Sequence, residues 1–171
     1  GSAPAKSAAL PKDVYPDSLN RLPLIKREGL DEQGKKIYDW YVSPQSRNLA
    51  GLQGPGGIML NSPKLAELNQ PLNQYLRYGT NLPRRLTELA ILVTAREMDA
   101  QFEWTQHEPV ALKEGLEPQI IDVVKYRKSL AGLGERETVI ISYGRELFGK
   151  RNLSSQTFAH AVKLFGRQGV V

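Results

Sequence analysis

Apolar residues in this chain recur at spacings of three and four, and no stretch alternates with a period of two. That pattern predicts an all-α fold. A first helix is expected behind Asp31, a good N-cap, over EQGKKIYDWYV, with Ile37, Trp40 and Tyr41 as its apolar stripe. Ser62–Pro63, in the favoured cap-then-proline order, starts another that runs to about Gly79, with Pro71 as a kink or break. Pro83 opens a helix over roughly 83–98, apolar around nearly its whole circumference and so expected to be buried and central. Asp99 and Ala100 turn the chain into a helix over 101–114, closed by Gly115. A short helix from Pro118 to about Lys128 and an amphipathic one over 135–150 follow. The last is capped by Ser154 or Ser155 and runs through Phe165. Residues 44–61 (PQSRNLAGLQGPGGIMLN) are rich in Gly, Pro and Asn and predict a long loop of the kind that is often functional.

Residues 1–29 carry Pro4, Pro11, Pro16 and Pro23 with little periodicity and are expected to form an extended N-terminal arm. Residues 30–171 are expected to form a single helical domain. Gly1–Ser2 has the look of an expression scar, and the Ala/Pro/Lys-rich APAKSAALPK after it that of a flexible lead. If that lead follows a removed signal peptide, the location is periplasmic or secreted; otherwise it is cytoplasmic. At the other end, Gly169-Val170-Val171 has the character of an opening apolar segment, so a further helix is expected beyond it.

The net charge of +5 changes this picture little. Basic pairs such as Lys35–Lys36, Arg84–Arg85, Arg127–Lys128 and Lys150–Arg151 have acidic residues close by, so no basic stripe forms and a nucleic-acid partner is not expected. A small anionic organic substrate fits the same balance. No apolar run approaches the ~20 residues of a membrane span, and no membrane partner is expected. There is no cysteine, which removes disulfides, thiolate metal sites and thiol redox chemistry together. With His107 and His160 as the sole histidines, no metal site is expected, and no cofactor either.

The candidate chemistry is concentrated in LTELAILVTAREMDAQFEWTQH, residues 86–107. Glu103 and His107 are spaced i,i+4 on one helix face, where a carboxylate beside an imidazole makes an acid/base pair or a plain surface pair. Glu88 sits among apolar neighbours, which suits a buried carboxylate with a raised pKa; pairing with Arg84 or Arg85 is the other outcome. Trp104 either walls a ligand pocket or, more in keeping with its helix, packs in the core. Pro109 falls in mid-helix just after His107. His160 has no acidic group at helical spacing and is taken as structural. In the loop, Arg47, Asn48 and Gln53 are candidate substrate contacts, Arg47 especially for a carboxylate.

Residues from about 62 to 171 resemble the carboxymuconolactone decarboxylase family, which includes the alkylhydroperoxidase D-like proteins. LPRRLTELAILVTAREMDAQFEWTQH and the later ALKEGL carry the resemblance. The peroxidase branch shows a glutamate, eleven residues, then C-x-x-C-x-x-x-H. Glu88 and His107 match its glutamate and histidine, while the two cysteine positions fall on Ala100 and Glu103. The resemblance implies an alkylhydroperoxidase D-like helical bundle that assembles as a homo-oligomer, trimer or hexamer, with sites near subunit interfaces. Lacking thiols, the chain resembles a cysteine-free subgroup, and the peroxidase reaction is closed to it. The decarboxylase side implies a lyase-like acid/base enzyme acting on a small carboxylated molecule or lactone by decarboxylation or isomerisation. His107 would then be the general acid/base, Glu103 would orient it or share its proton, and Glu88 would return a proton to carbon. The alternative is a non-enzymatic helical oligomer that binds a small ligand or protein partner, with Glu88, Glu103 and His107 as a structural polar network.

Overall fold

The computed structural model describes residues 9–171; Gly1–Ser2 and most of the Ala/Pro/Lys-rich lead lie outside the described residues. Among those residues the fold is all-α. Its eight α-helices are α1 (Glu32–Val42), α2 (Pro55–Met59), α3 (Pro63–Gln74), α4 (Arg84–Glu97), α5 (Gln101–Lys113), α6 (Pro118–Lys125), α7 (Glu135–Gly144) and α8 (Ser155–Val170). The one antiparallel bridge, Tyr15 with Asn20, belongs to no strand. The chain divides between Leu76 and Arg77 into two compact units.

In the first unit, the Asp31 side chain accepts from the Gly34 amide at 2.7 Å and starts α1. Ile37 and Tyr41 of α1 pack with Leu60 and Ala66 to make this unit's core. The stretch 44–61 departs from the expected open loop. It folds into two 3-10 turns, Pro44–Ser46 and Gly51–Gln53, and then α2. Its glycines serve close packing. A Cβ on Gly56 would stand 2.7 Å from the Tyr41 ring, and one on Gly57 would collide with the Leu52 carbonyl. The Gly-Pro-rich composition therefore reflects tight contact between short helical turns as much as a breaker signal. Pro71 lies inside α3 without ending it, and the helix loosens afterwards into a π-helical turn, Tyr75–Gly79. Leu65, Leu68 and Leu72 of α3 stay exposed at helical spacing.

The second unit is organised on α4, which packs against α5, α6 and α7. Leu86, Leu89, Leu92 and Val93 meet Ala111, Leu116, Ile120, Ile121, Val124 and Ile141 in one apolar core. Three connections use the same closure, in which a left-handed residue lets the next amide bond back five residues. After α4 it is Asp99 (φ 50°), with the Ala100 amide on the Ala95 carbonyl at 2.8 Å. After α5 it is Gly115 (φ 88°), with Leu116 on Ala111 at 2.9 Å, and after α6 it is Arg127 (φ 49°), with Lys128 on Val123 at 3.0 Å. The Asp99 corner folds α5 back along α4. The segment expected as one helix over 135–150 is α7 followed by a π-helical stretch, Arg145–Lys150. The expected end of the last helix at Phe165 adjoins Gly166, whose backbone is non-helical (φ 68°), and a further helical piece continues to Val170.

Candidate functional site

Glu88 lies in the first half of α4 on its inward face and has no exposed surface. Its neighbour one turn earlier, Arg84, donates from Nη2 to Oε1 at 2.7 Å. Its other oxygen, Oε2, meets Nδ1 of His107 on α5 at 2.7 Å. Nineteen residues separate the two in sequence, and the Asp99 corner brings them face to face. His107 is itself only 7% exposed. Its Nε2 stands 3.7 Å from Oε2 of Glu103, one turn earlier on α5, close enough for an ion pair but beyond a hydrogen bond. Glu88, Glu103 and His107 therefore do meet in space.

Their internal arrangement differs from the expected one. Burial alone would push the Glu88 carboxyl upward. The hydrogen bond and charge of His107, joined by those of Arg84, outweigh it and hold the group below the usual carboxylate range. The expectation of a raised pKa at Glu88 is thus corrected, because His107 and the cation at i−4 together outweigh the desolvation. A carboxylate that stays ionised, with both oxygens engaged, is no proton donor to carbon. The short contact to the ring is made by Glu88, with Glu103 standing farther off.

Proton positions follow from this. An ionised carboxylate only accepts, so the proton in the 2.7 Å contact sits on Nδ1 of His107. Nε2 is then the nitrogen left to take or give a proton, with the Glu103 carboxylate 3.7 Å from it. Arg84 is itself held in place. Its Nη1 donates to the Arg77 carbonyl, its Nε lies 3.8 Å from Glu114 Oε1, and its guanidinium carbon lies 4.5 Å from the centre of the Tyr78 ring.

The remaining candidates have other surroundings. Trp104 packs against the core of the second unit, as its helix suggested. Its Nε1 donates to Glu108 Oε2 at 2.8 Å, and Glu108 Oε1 accepts from Lys125 at 3.2 Å. Arg47 and Gln53 belong to the first unit. Arg47 is exposed in a left-handed conformation after the turn Pro44–Ser46, and Gln53 donates to the Asp17 carbonyl at 3.1 Å. Asn48 closes a local turn, donating to the Gly51 carbonyl at 2.7 Å. His160 has an acidic partner after all, Glu135 Oε1 at 2.6 Å, supplied by α7 rather than by its own helix. Arg85, the other cation considered for Glu88, instead pairs with Glu117 and Glu137.

Sequence reasoning missed Arg77 and Glu114 as neighbours of Arg84, since no local spacing marks either. Elsewhere in the second unit a cleft of about 260 Å³ opens between α4, α7 and α8, lined by Ala90, Val93, Ile140, Tyr143 and Phe165 among others, but by none of the three site residues. Among the described residues no group of three or more His, Asp or Glu side chains is arranged to hold a metal ion. Among the described residues no helix is long and apolar enough to cross a membrane. Comparison with known protein families, characterised proteins and solved structures finds no match to this chain.

Proposed function

We propose that this chain is an acid/base enzyme that moves a proton to or from carbon in a small carboxylated molecule or lactone, by decarboxylation or isomerisation. The observation that carries the reading is the buried Glu88–His107 contact, which fixes one imidazole tautomer and leaves Nε2 for the reacting proton. Glu88 is a positioning residue, His107 the general acid/base, and Glu103 the outer carboxylate that stabilises the imidazolium as it forms. The resemblance of residues 62–171 to the carboxymuconolactone decarboxylase family, in its alkylhydroperoxidase D-like fold, points the same way. Assembly as a homo-oligomer belongs to this reading. The exposed stripe Leu65, Leu68 and Leu72 supports it, and sedimentation that finds only monomer removes that part.

The test is turnover, or carbon-bound proton exchange in heavy water, over a panel of small carboxylated lactones and enol acids. His107→Ala is expected to abolish both while the far-ultraviolet dichroism stays helical. Full activity in that variant sinks the assignment. A second reading, a non-enzymatic oligomer with a structural polar network, is favoured by the full engagement of both Glu88 oxygens. In that case His107→Ala lowers the melting temperature or dissociates the oligomer, and the wild type shows no exchange.

A further inference from the structure

Arg77 is the first residue of the second unit and lies in the π-helical turn Tyr75–Gly79. Its Nε and Nη2 are buried and, among the described residues, have no hydrogen-bond partner. Buried donors are almost always satisfied, and those of a cation are the costliest to leave bare. Among the described residues no carboxylate forms an ion pair with it. Its guanidinium carbon lies 5.0 Å from the centre of the Tyr78 ring, a contact that engages the cation's face but not its N–H groups.

The identity of those two nitrogens is informative. Nε and Nη2 form the side edge of a guanidinium, with two parallel N–H bonds that match the two oxygens of a carboxylate. Other arginines in this chain use that same edge for that purpose. Arg27 grips Asp39 with Nε at 2.6 Å and Nη2 at 2.8 Å. Arg127 grips Glu97 with the same pair at 3.3 and 3.1 Å, and Arg85 lays the edge on one oxygen of Glu117. Arg77 presents the same fork to no group among the described residues.

Its position links it to the acid/base site. The Arg77 carbonyl accepts from Arg84 Nη1, Arg84 Nη2 binds Glu88, and Glu88 binds His107. Both guanidinium groups also lie against the same Tyr78 ring. Arg84 is committed to Glu88 and Glu114, so its charge is already matched. Arg77 has no such match.

The geometry points to Arg77 as the carboxylate-binding residue of this site, gripping a small organic acid through its Nε–Nη2 edge. The role of that acid as substrate rests on the proposed acid/base function; the anion contact itself does not. It also moves the carboxylate contact from Arg47, which the sequence favoured, to an arginine whose backbone carbonyl accepts from Arg84 of the Glu88–His107 network.

Benzoate is a suitable probe, titrated at constant ionic strength by calorimetry and by the Nε–Hε nuclear magnetic resonance signal of Arg77, with chloride and inorganic phosphate in parallel. Saturable binding of benzoate is expected, moving the Arg77 signal, with phosphate and chloride much weaker. Arg77→Gln should weaken it by at least about tenfold and abolish the benzoate-induced rise in melting temperature. Arg77→Lys keeps the charge and loses the fork, so its affinity should fall between the two. Because a bare buried cation is removed, Arg77→Gln should not melt below the wild type when benzoate is absent. The inference is overturned if benzoate fails to bind the wild type, if phosphate binds as well as benzoate, or if either variant binds as the wild type does. His107→Ala keeps the grip on benzoate, so the two ideas fail separately. Loss of turnover in His107→Ala with no role for Arg77 removes this inference alone. An Arg77-dependent benzoate site beside full activity in His107→Ala removes the acid/base reading alone.

Discussion

Glu88→Gln is the most informative single change in this chain. It preserves shape and removes the charge from the centre of a buried trio, Arg84–Glu88–His107. One amide oxygen can still accept from Nδ1 of His107, but the amide nitrogen must then face the Arg84 guanidinium, donor against donor. Breaking a buried ion pair from one side typically costs about 3–5 kcal/mol, because the partner charge stays buried. A domain's whole stability is about 5–15 kcal/mol, so the loss is a large share. At about 2–4 °C per kcal/mol for a chain of this size, the melting temperature should fall by roughly 6–20 °C. The effect carries its own pH signature. The folded chain holds the Glu88 proton less tightly than the unfolded one, so the carboxylate's contribution is complete above the unfolded value, ~4.3. It is lost as pH falls through the lower folded value. Urea unfolding of wild type and Glu88→Gln should therefore differ by several kcal/mol at pH 7 and converge in acid. A double-mutant cycle with His107→Gln should show coupling of at least ~1 kcal/mol. A difference under ~0.5 kcal/mol at pH 7, or one that persists unchanged at pH 3, would refute the account of the site.

Two further outcomes test the packing that holds each unit. Gly57→Ala drives a Cβ into the Leu52 carbonyl, a backbone atom that cannot swing away, so the first unit should lose about 1–3 kcal/mol in chemical denaturation. If it melts with the wild type, the close approach of α2 to the turn Gly51–Gln53 is wrong. Gly144→Ala meets the γ-methyl of Val93 where α7 crosses α4, and Val93→Ala should relieve part of the cost. Strict additivity of the two changes would deny that contact.

The helices were legible because their signals are local. The Asp31 cap, the Ser62–Pro63 start and the all-round apolar character of 83–98 each act within a few residues, and α1, α3 and α4 follow them. The stretch 44–61 was not, because its glycines answer to Tyr41 and Leu52 across a packed surface and not to a turn type. The meeting of Glu88 with His107 could be suspected from residue types, while its sign could not. Whether a buried carboxylate rises or falls depends on what fills its two oxygens, and here His107, joined by Arg84, outweighs the burial. His160 shows the same limit, since its partner Glu135 stands on another helix, twenty-five residues earlier. Arg77 lay beyond any spacing rule, because what distinguishes it is a pair of buried nitrogens with no hydrogen-bond partner among the described residues.

The order of these contacts concentrates the site's chemistry on one atom. Arg84 satisfies one oxygen of Glu88 and His107 the other, so neither the guanidinium nor the carboxylate has a proton to exchange. Nδ1 spends its proton in that contact, and Nε2 is the one remaining position where a proton can come and go beside Glu103, which is partly exposed. A network meant only to fill space would gain as much from apolar side chains, since buried ion pairs rarely outperform a well-packed core. The network instead supplies a fixed tautomer and a ring held by contacts on two helices, which apolar packing cannot supply. On that ground Glu88 and His107, which cost this core its apolar continuity, are the residues on which the proposed acid/base function rests.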